Sequence, residues 1–319
     1  MRRMKITVLA VLTTFCSLSM ASFHAPWSRP FSNTSNTLSD SLSCFGPVQK
    51  DFYYPRANFP KWLSDITGLH RWPGLSPPYV NGTNFNFSGI PEGPLYTQQS
   101  CNVTSHSQCS FDCDLCVGPK DIRHCNYLIQ TFDDGPTPDT PTLLHHLHKT
   151  GNKASFFVLG IQVVVYPDVF RAMHYEGHFL ASHTYGHRHL PSLSNRDIVA
   201  QLQWATWAMN ATAGVIPKYF RPPFGGVDNR VRMIAERLGL TVIVWDLDTN
   251  DWKLTDQSRT LVDIFDQIQV WKTANIHGIL LEHDNTMISV DAGIEISNIV
   301  GNGNITAANC KDDSAAWYG

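Results

Sequence analysis

Tyr127-Leu128-Ile129-Gln130-Thr131-Phe132-Asp133-Asp134-Gly135-Pro136 decides the fold. Tyr127 to Ile129 reads as a short strand that runs into two carboxylates. Adjacent strand residues point to opposite faces, so Asp133 and Asp134 share one site only where the strand has ended. Gly135-Pro136 marks that end. A helical pattern follows from Pro141 to Lys149 and stops at Gly151. The segment reads as the first strand–loop–helix unit of an α/β sheet.

The unit repeats. Ala154 to Leu159 reads as a second strand and Val169 to Tyr175 as a helix closed by Gly177. His178 to Ala181 is a third strand. Asn195 to Ala211 is a long helix capped by Ser194. Tyr219-Phe220 is a strand entering Arg221-Pro222-Pro223-Phe224-Gly225. Asp228 to Leu238 is helical, Thr241 to Trp245 strand-like, and Ser258 to Lys272 helical. Gly278 to Leu281 is a strand, followed by a helix near Ile288 to Ile299. Alternating strands and helices predict a parallel sheet, in its closed form a barrel. Each polar segment follows a strand, on the face where barrel enzymes collect their chemistry.

One such segment is His183-Thr184-Tyr185-Gly186-His187. Two imidazoles and a carboxylate leave an open position on a zinc-like ion, where water becomes acidic enough to attack a carbonyl. A second carboxylate can take that water's proton. Alone, Asp-Asp-Gly-Pro is most often a turn. Several ordered segments, each after a strand, outweigh that reading and point to metal-assisted hydrolysis.

The 319 residues suffice for a large core plus a smaller module. Hydrophobic residues make up 43%, which excludes wholesale disorder. The formal charge is -3, without a polybasic run, so nucleic acid is not an expected partner. Residues 1–21 read as a signal peptide: a basic start, an apolar stretch from Ile6 to Met20, and a small residue at Ala21. No later segment is apolar for long enough to span a bilayer. Sequons at Asn33, Asn81, Asn86, Asn102, Asn210 and Asn304 fit a secreted, glycosylated protein of the cell exterior or wall.

Cys44, Cys101, Cys109, Cys113, Cys116, Cys125 and Cys310 follow the signal, an odd number that leaves at least one free or paired with another chain. An oxidising compartment favours disulfides over the zinc reading of Cys113-x-x-Cys116 with Cys109 and Cys125. Residues 22–124 are rich in Pro, Gly, Ser and Asn and read as a Cys-rich, loop-dominated extension. Residues 125–319 are read as the barrel domain that carries the motifs.

The ordered motifs resemble the polysaccharide deacetylase family, and within it the fungal chitin deacetylases. The resemblance covers roughly residues 125 to 300. It implies an α/β fold, a distorted (β/α) barrel, and an enzyme that removes N-acetyl groups from N-acetylglucosamine units of chitin or chitooligosaccharides. Asp134, His183 and His187 would hold the metal, Zn2+ first, with Co2+ or Mn2+ as alternatives. Asp133 would be the base, oriented by Arg221, whose guanidinium should lower its pKa. Phe224, where the family usually has Tyr, would offer its backbone N–H to the oxyanion. Asp251 would pair with His283, the general acid. Trp252 would form an apolar wall, and Leu281 would line the acetyl pocket.

The same site could serve an O-acetyl xylan esterase, and a catalytically weak carbohydrate-binding wall protein is a further rival. No Gly-x-Ser-x-Gly or His-Glu-x-x-His occurs, which argues against a serine esterase or a common metalloprotease. Only a short tail follows His283 where one more strand is expected, so the barrel is either incomplete or closed in another way. Cys125 and Cys310 bracket the barrel and are expected to bridge its ends. His145, His146 and His148 read as a solvated helix face, His189 as structural, Trp204 and Trp207 as core, and Glu282 as pointing away from His283.

Overall fold

The computed structural model describes residues 55–101, 108–301, 303–311 and 317–318. The predicted signal segment, Cys44, Asn33 and Asn102 lie outside them. Among the described residues no helix is long and apolar enough to cross a membrane.

Seven strands form one sheet: β1 Leu128–Asp133, β2 Ser155–Val158, β3 Phe179–Ser182, β4 Tyr219–Phe220, β5 Thr241–Val242, β6 Leu247–Asp248 and β7 Gly278–His283. The spatial order is β5-β4-β3-β2-β1-β7-β6, and every pairing is parallel. Helices connect the strands: α2 Thr140–Thr150 after β1, then α3 Gly160–Val165 and α4 Pro167–Tyr175 after β2. α5 Asn195–Ala213 follows β3, α6 Asn229–Arg237 follows β4, α7 Leu261–Thr273 follows β6, and α8 Met287–Val300 follows β7. An earlier helix, α1 Lys61–Thr67, lies in the extension.

The strand expected after His283 is not needed. β7 pairs with β1 at six positions, from Leu128↔Gly278 to Asp133↔His283, so the last strand meets the first directly. The sheet instead opens between β5 and β6, neighbours in the chain that share no pairing. It is a curled, incomplete barrel whose gap falls in mid-sequence.

Strand alternation divides the core. Phe132, Phe156, Val158 and Leu180 pack with α2, α4 and α5 residues such as Leu143, Phe170 and Trp204. Ile129, Phe157, Phe179, Ile243 and Ile279 form a second cluster on the opposite face of the sheet. Thr131, Asp133, Leu281 and His283 continue that inner face towards the strand ends. Glu282 lies on the outer face, where Gln130 Nε2 donates to its carboxylate at 3.0 Å. Local signals set the helix ends. Ser194 caps α5 by accepting from Asp197 N, Asp228 caps α6 by accepting from Val231 N, and Gly151 and Gly214 end α2 and α5 at φ 71° and 72°.

The extension is packed onto the barrel. Tyr185 Oη donates to Pro73 O, Gln201 Nε2 to Leu75 O, and Trp204 Nε1 to Pro78 O, each at 2.9 Å. Ile122 bridges to Ile243 beside β5, so a residue ahead of Cys125 enters the open seam. Disulfides join Cys101 to Cys113, Cys109 to Cys116, and Cys125 to Cys310, which rules out the zinc reading of the first cysteines. Asn81, Asn86 and Asn304 are exposed and Asn210 is half-buried.

Candidate active site

Because all seven strands are parallel, their C-terminal ends gather the polar segments at one end of the sheet. β1 ends at Asp133, and Asp134 leaves it at φ 81°. β3 delivers His183 and His187, β4 delivers Arg221 and Phe224, and β7 ends at His283. β6 pairs with β7 through Asp248↔Leu281, which carries Asp251 to His283.

Asp134 Oδ1 lies 3.5 Å from His183 Nε2 and 3.3 Å from His187 Nε2. The three donor atoms sit within 4.8 Å of one another, a possible metal site. Asp134 Oδ1 is buried and has no hydrogen-bond partner in the protein, while Oδ2 accepts from Asn285 Nδ2 at 2.8 Å. A buried, unpartnered carboxylate oxygen is costly, and a cation satisfies it. His183 Nδ1 donates to Arg221 O at 2.9 Å, so its Nε2 lone pair faces Asp134. Two imidazole nitrogens and one carboxylate oxygen therefore fit a zinc-type ion with a position to spare. Cys101, Asp112 and Cys113 also cluster, but their sulfurs are bonded to each other.

Asp133 lies beside this set, its Oδ2 3.9 Å from His183 Nε2. Arg221 is fully buried and donates from Nη1 to Asp133 Oδ1 at 2.8 Å and to Thr131 Oγ1 at 2.7 Å. Its guanidinium also rests on the Phe157 ring, 3.9 Å from the centroid. Burial pushes the Asp133 carboxyl up to about 6, against the lowering by Arg221. The expectation of a lowered pKa is thus reversed, because desolvation outweighs the adjacent charge.

His283 is tied twice to Asp251. Its Nδ1 donates to Asp251 Oδ1 and its backbone N to Oδ2, both at 2.7 Å. Burial alone would favour a neutral ring, but the Asp251 charge and hydrogen bond, with Asp134 and Asp133 adding, push it up to about 10. Burial holds the His183 and His187 rings down at about 4 each, so both rings are neutral at ordinary pH.

Leu281 is buried, whereas Phe224 and Trp252 are 47% and 49% exposed at the rim. The Phe224 ring packs on His187, centroids 4.5 Å apart. Asp134, Thr184, His187, Phe224 and Asn250 all have positive φ without being glycine. Such conformations cost about 1–3 kcal/mol each and concentrate at functional sites. Asn285 and the buried Asp284 were not identified from sequence. Asp284 Oδ2 accepts from Thr140 Oγ1 at 2.6 Å, and Thr137 Oγ1 donates to Asp284 O, locking the turn after Asp134. Their only sequence cue is adjacency to His283.

The family model described as polysaccharide deacetylase matches residues 120–243. Chitin deacetylase 1 of Saccharomyces cerevisiae is 46% identical over 258 residues, covering 80% of this chain and 84% of that protein. Chitin deacetylase 2 of the same yeast is 42% identical over 290 residues, covering 85% and 92%. The solved chitin deacetylase of Colletotrichum lindemuthianum superposes with a TM-score of 0.55 at 28% identity, covering 61% of this chain and 95% of that one. The chain belongs to the polysaccharide deacetylase family.

Proposed function

We propose that this protein is a secreted, metal-dependent deacetylase that hydrolyses N-acetyl groups on N-acetylglucosamine units of chitin or its oligomers. The observation that carries the reading is the convergence of Asp134, His183 and His187 on one point with the unshared carboxylate of Asp133 alongside. The similarity to two yeast proteins named chitin deacetylase supports the substrate. A divalent cation bound there supplies Lewis acidity, polarising the acetamide carbonyl and making a water molecule a better nucleophile.

The chain's own residues do the rest. Asp133 takes the proton of water as its oxygen adds to the carbonyl carbon. Arg221, itself held by Thr131, fixes that carboxylate from behind, and its raised pKa makes it a better base than an exposed aspartate. The Phe224 N–H is assigned to the developing oxyanion. His283, kept protonated by Asp251, gives its proton to nitrogen as the C–N bond breaks, leaving acetate and a free amine. Asp133 and His283 thus have pKa values pushed apart, the pattern of an acid–base pair. Leu281 bounds the acetyl methyl and Trp252 offers a face to the sugar.

Acetate release from N-acetylglucosamine oligomers, with chelator and then added zinc, tests the proposal. Chelator-sensitive release restored by zinc is expected. Release from acetylated xylan alone would redirect the reading to an esterase. Sugar binding without any release would redirect it to a binding protein.

A further inference from the structure

His189 lies two residues after His187 and is not among the residues assigned to the chemistry. It joins three segments. Its Nε2 donates to Asp112 Oδ2 at 2.7 Å, and the Asp112 side chain is 1% exposed. Its ring lies against the backbone of Gly226, two residues after Phe224. A methyl group at Gly226 would meet His189 Cδ2 at 2.6 Å. The same ring is 6.4 Å from Phe224 and 5.9 Å, edge-on, from Tyr96. One imidazole therefore touches the loop of His187, the loop of Phe224 and the extension.

Asp112 is itself immobilised. Ser110 Oγ donates to its Oδ1 at 2.7 Å and accepts from Tyr96 Oη at 2.9 Å. Asp112 sits in the helical turn Phe111–Asp114, between Cys109 and Cys113, whose partners are Cys116 and Cys101. That turn is fastened to the barrel. Phe111 N donates to Val227 O at 3.0 Å, and Arg232 Nη2 donates to Cys116 O at 3.0 Å. The Phe111 side chain fills the space over Gly225, where a methyl group would meet it at 2.9 Å. A short, doubly cross-linked segment thus presents one carboxylate to the loop of His187 and one aromatic ring to the loop of Phe224. Both loops hold non-glycine residues at positive φ, which a surrounding frame must enforce.

We infer that Asp112, acting through His189, is a positioning residue that sets the geometry of the metal ligand His187 and of the Phe224 backbone. The disulfide-stapled extension is then part of the active-site frame. The inference rests on the metal reading of Asp134, His183 and His187. Partners behind a metal ligand typically change affinity by about 10–100-fold when removed.

The test uses the full chain with Asp112→Ala, Asp112→Asn and His189→Phe. Folding is checked by circular dichroism. Zinc affinity is measured by competition with a chromophoric chelator, and ligand geometry by the visible spectrum of the cobalt-loaded protein. Asp112→Ala is expected to bind zinc at least about tenfold more weakly, shift the cobalt bands, and lower kcat more than it raises KM. Asp112→Asn, which keeps an acceptor for His189, should recover most of the loss. A wild-type zinc affinity and cobalt spectrum in folded Asp112→Ala overturns the inference. Should that variant not fold, His189→Phe decides, because it keeps an aromatic ring and removes the N–H; wild-type values there also overturn it. Absence of zinc binding by the unmutated protein would instead overturn the metal reading itself.

Discussion

Asp251 sets the charge of His283, which in turn lowers the pKa of Asp133. Removing the Asp251 charge in Asp251→Asn lets burial dominate, so the pKa of His283 falls from about 10. His283, the proposed acid, then loses its proton at lower pH. Turnover of Asp251→Asn should decline on the alkaline side of neutrality, with a fall of about 10²-fold or more, read from kcat against pH. Stability carries the same signature in the chelated protein. Native His283 holds its proton up to about 10 and the unfolded ring only to about 6.5, so the native state binds the extra proton between them. The His283 contribution to stability is therefore full below about 6.5 and declines towards 10, by at most about 1.4 kcal/mol per pH unit. Thermal melts from pH 7 to 9.5 should show that decline, and Asp251→Asn should flatten it. Ligand and base also separate by substitution. His183→Ala should lose zinc and activity together, whereas Asp133→Asn should keep zinc and lose turnover; calorimetric titration beside an acetate assay distinguishes them. Full zinc affinity in both variants would refute the ligand assignment.

The site is a property of strand ends, and those were legible because each carries a strong local signal. β1, β2, β3, β4 and β7 are apolar runs that stop at Gly, Pro or a polar cluster, and α5 and α2 declare their caps. β6 went unread because it is only Leu247–Asp248 and owes its existence to pairing with β7. α3, Gly160–Val165, went unread because Val163, Val164 and Val165 favour a strand locally, while burial against α5 holds them helical. The pKa of Asp133 was misjudged for a related reason: sequence reveals an arginine nearby but not the depth of burial. The loop between His183 and His187 depends on a neighbour far away in sequence. Gly186 packs against Leu75 O, which a methyl group would approach to 2.1 Å. Gly186→Ala should cost about 1–3 kcal/mol, seen as a lower Tm, and weaken zinc binding by displacing His187.

Across the whole molecule, the Cys125–Cys310 disulfide closes a loop with a sequence separation of 185. It joins the residue ahead of β1 to the segment behind α8. Chain-entropy reasoning gives an upper value of about 5 kcal/mol for so long a loop. The double substitution Cys125→Ala/Cys310→Ala should therefore lower Tm and the denaturant midpoint sharply, while the zinc affinity of the folded fraction is unchanged. The bridge lies away from the gathered strand ends, so an unchanged midpoint would mean that helix packing alone secures the tail. Residues 22–124 were read as loops, and composition could not reveal how their described part wraps the barrel, because those contacts join residues more than a hundred positions apart.

Ile122 gives that wrapping a practical meaning. It lines the gap between β5 and β6, so the material ahead of Cys125 is woven into the scaffold rather than hung upon it. Anyone transplanting this catalyst into another polypeptide, or recombining it with a sister enzyme, should find no clean cut at Cys125. Grafts that exchange the Cys-rich stretch without its matching seam would leave Ile243 and Val244 without their neighbour.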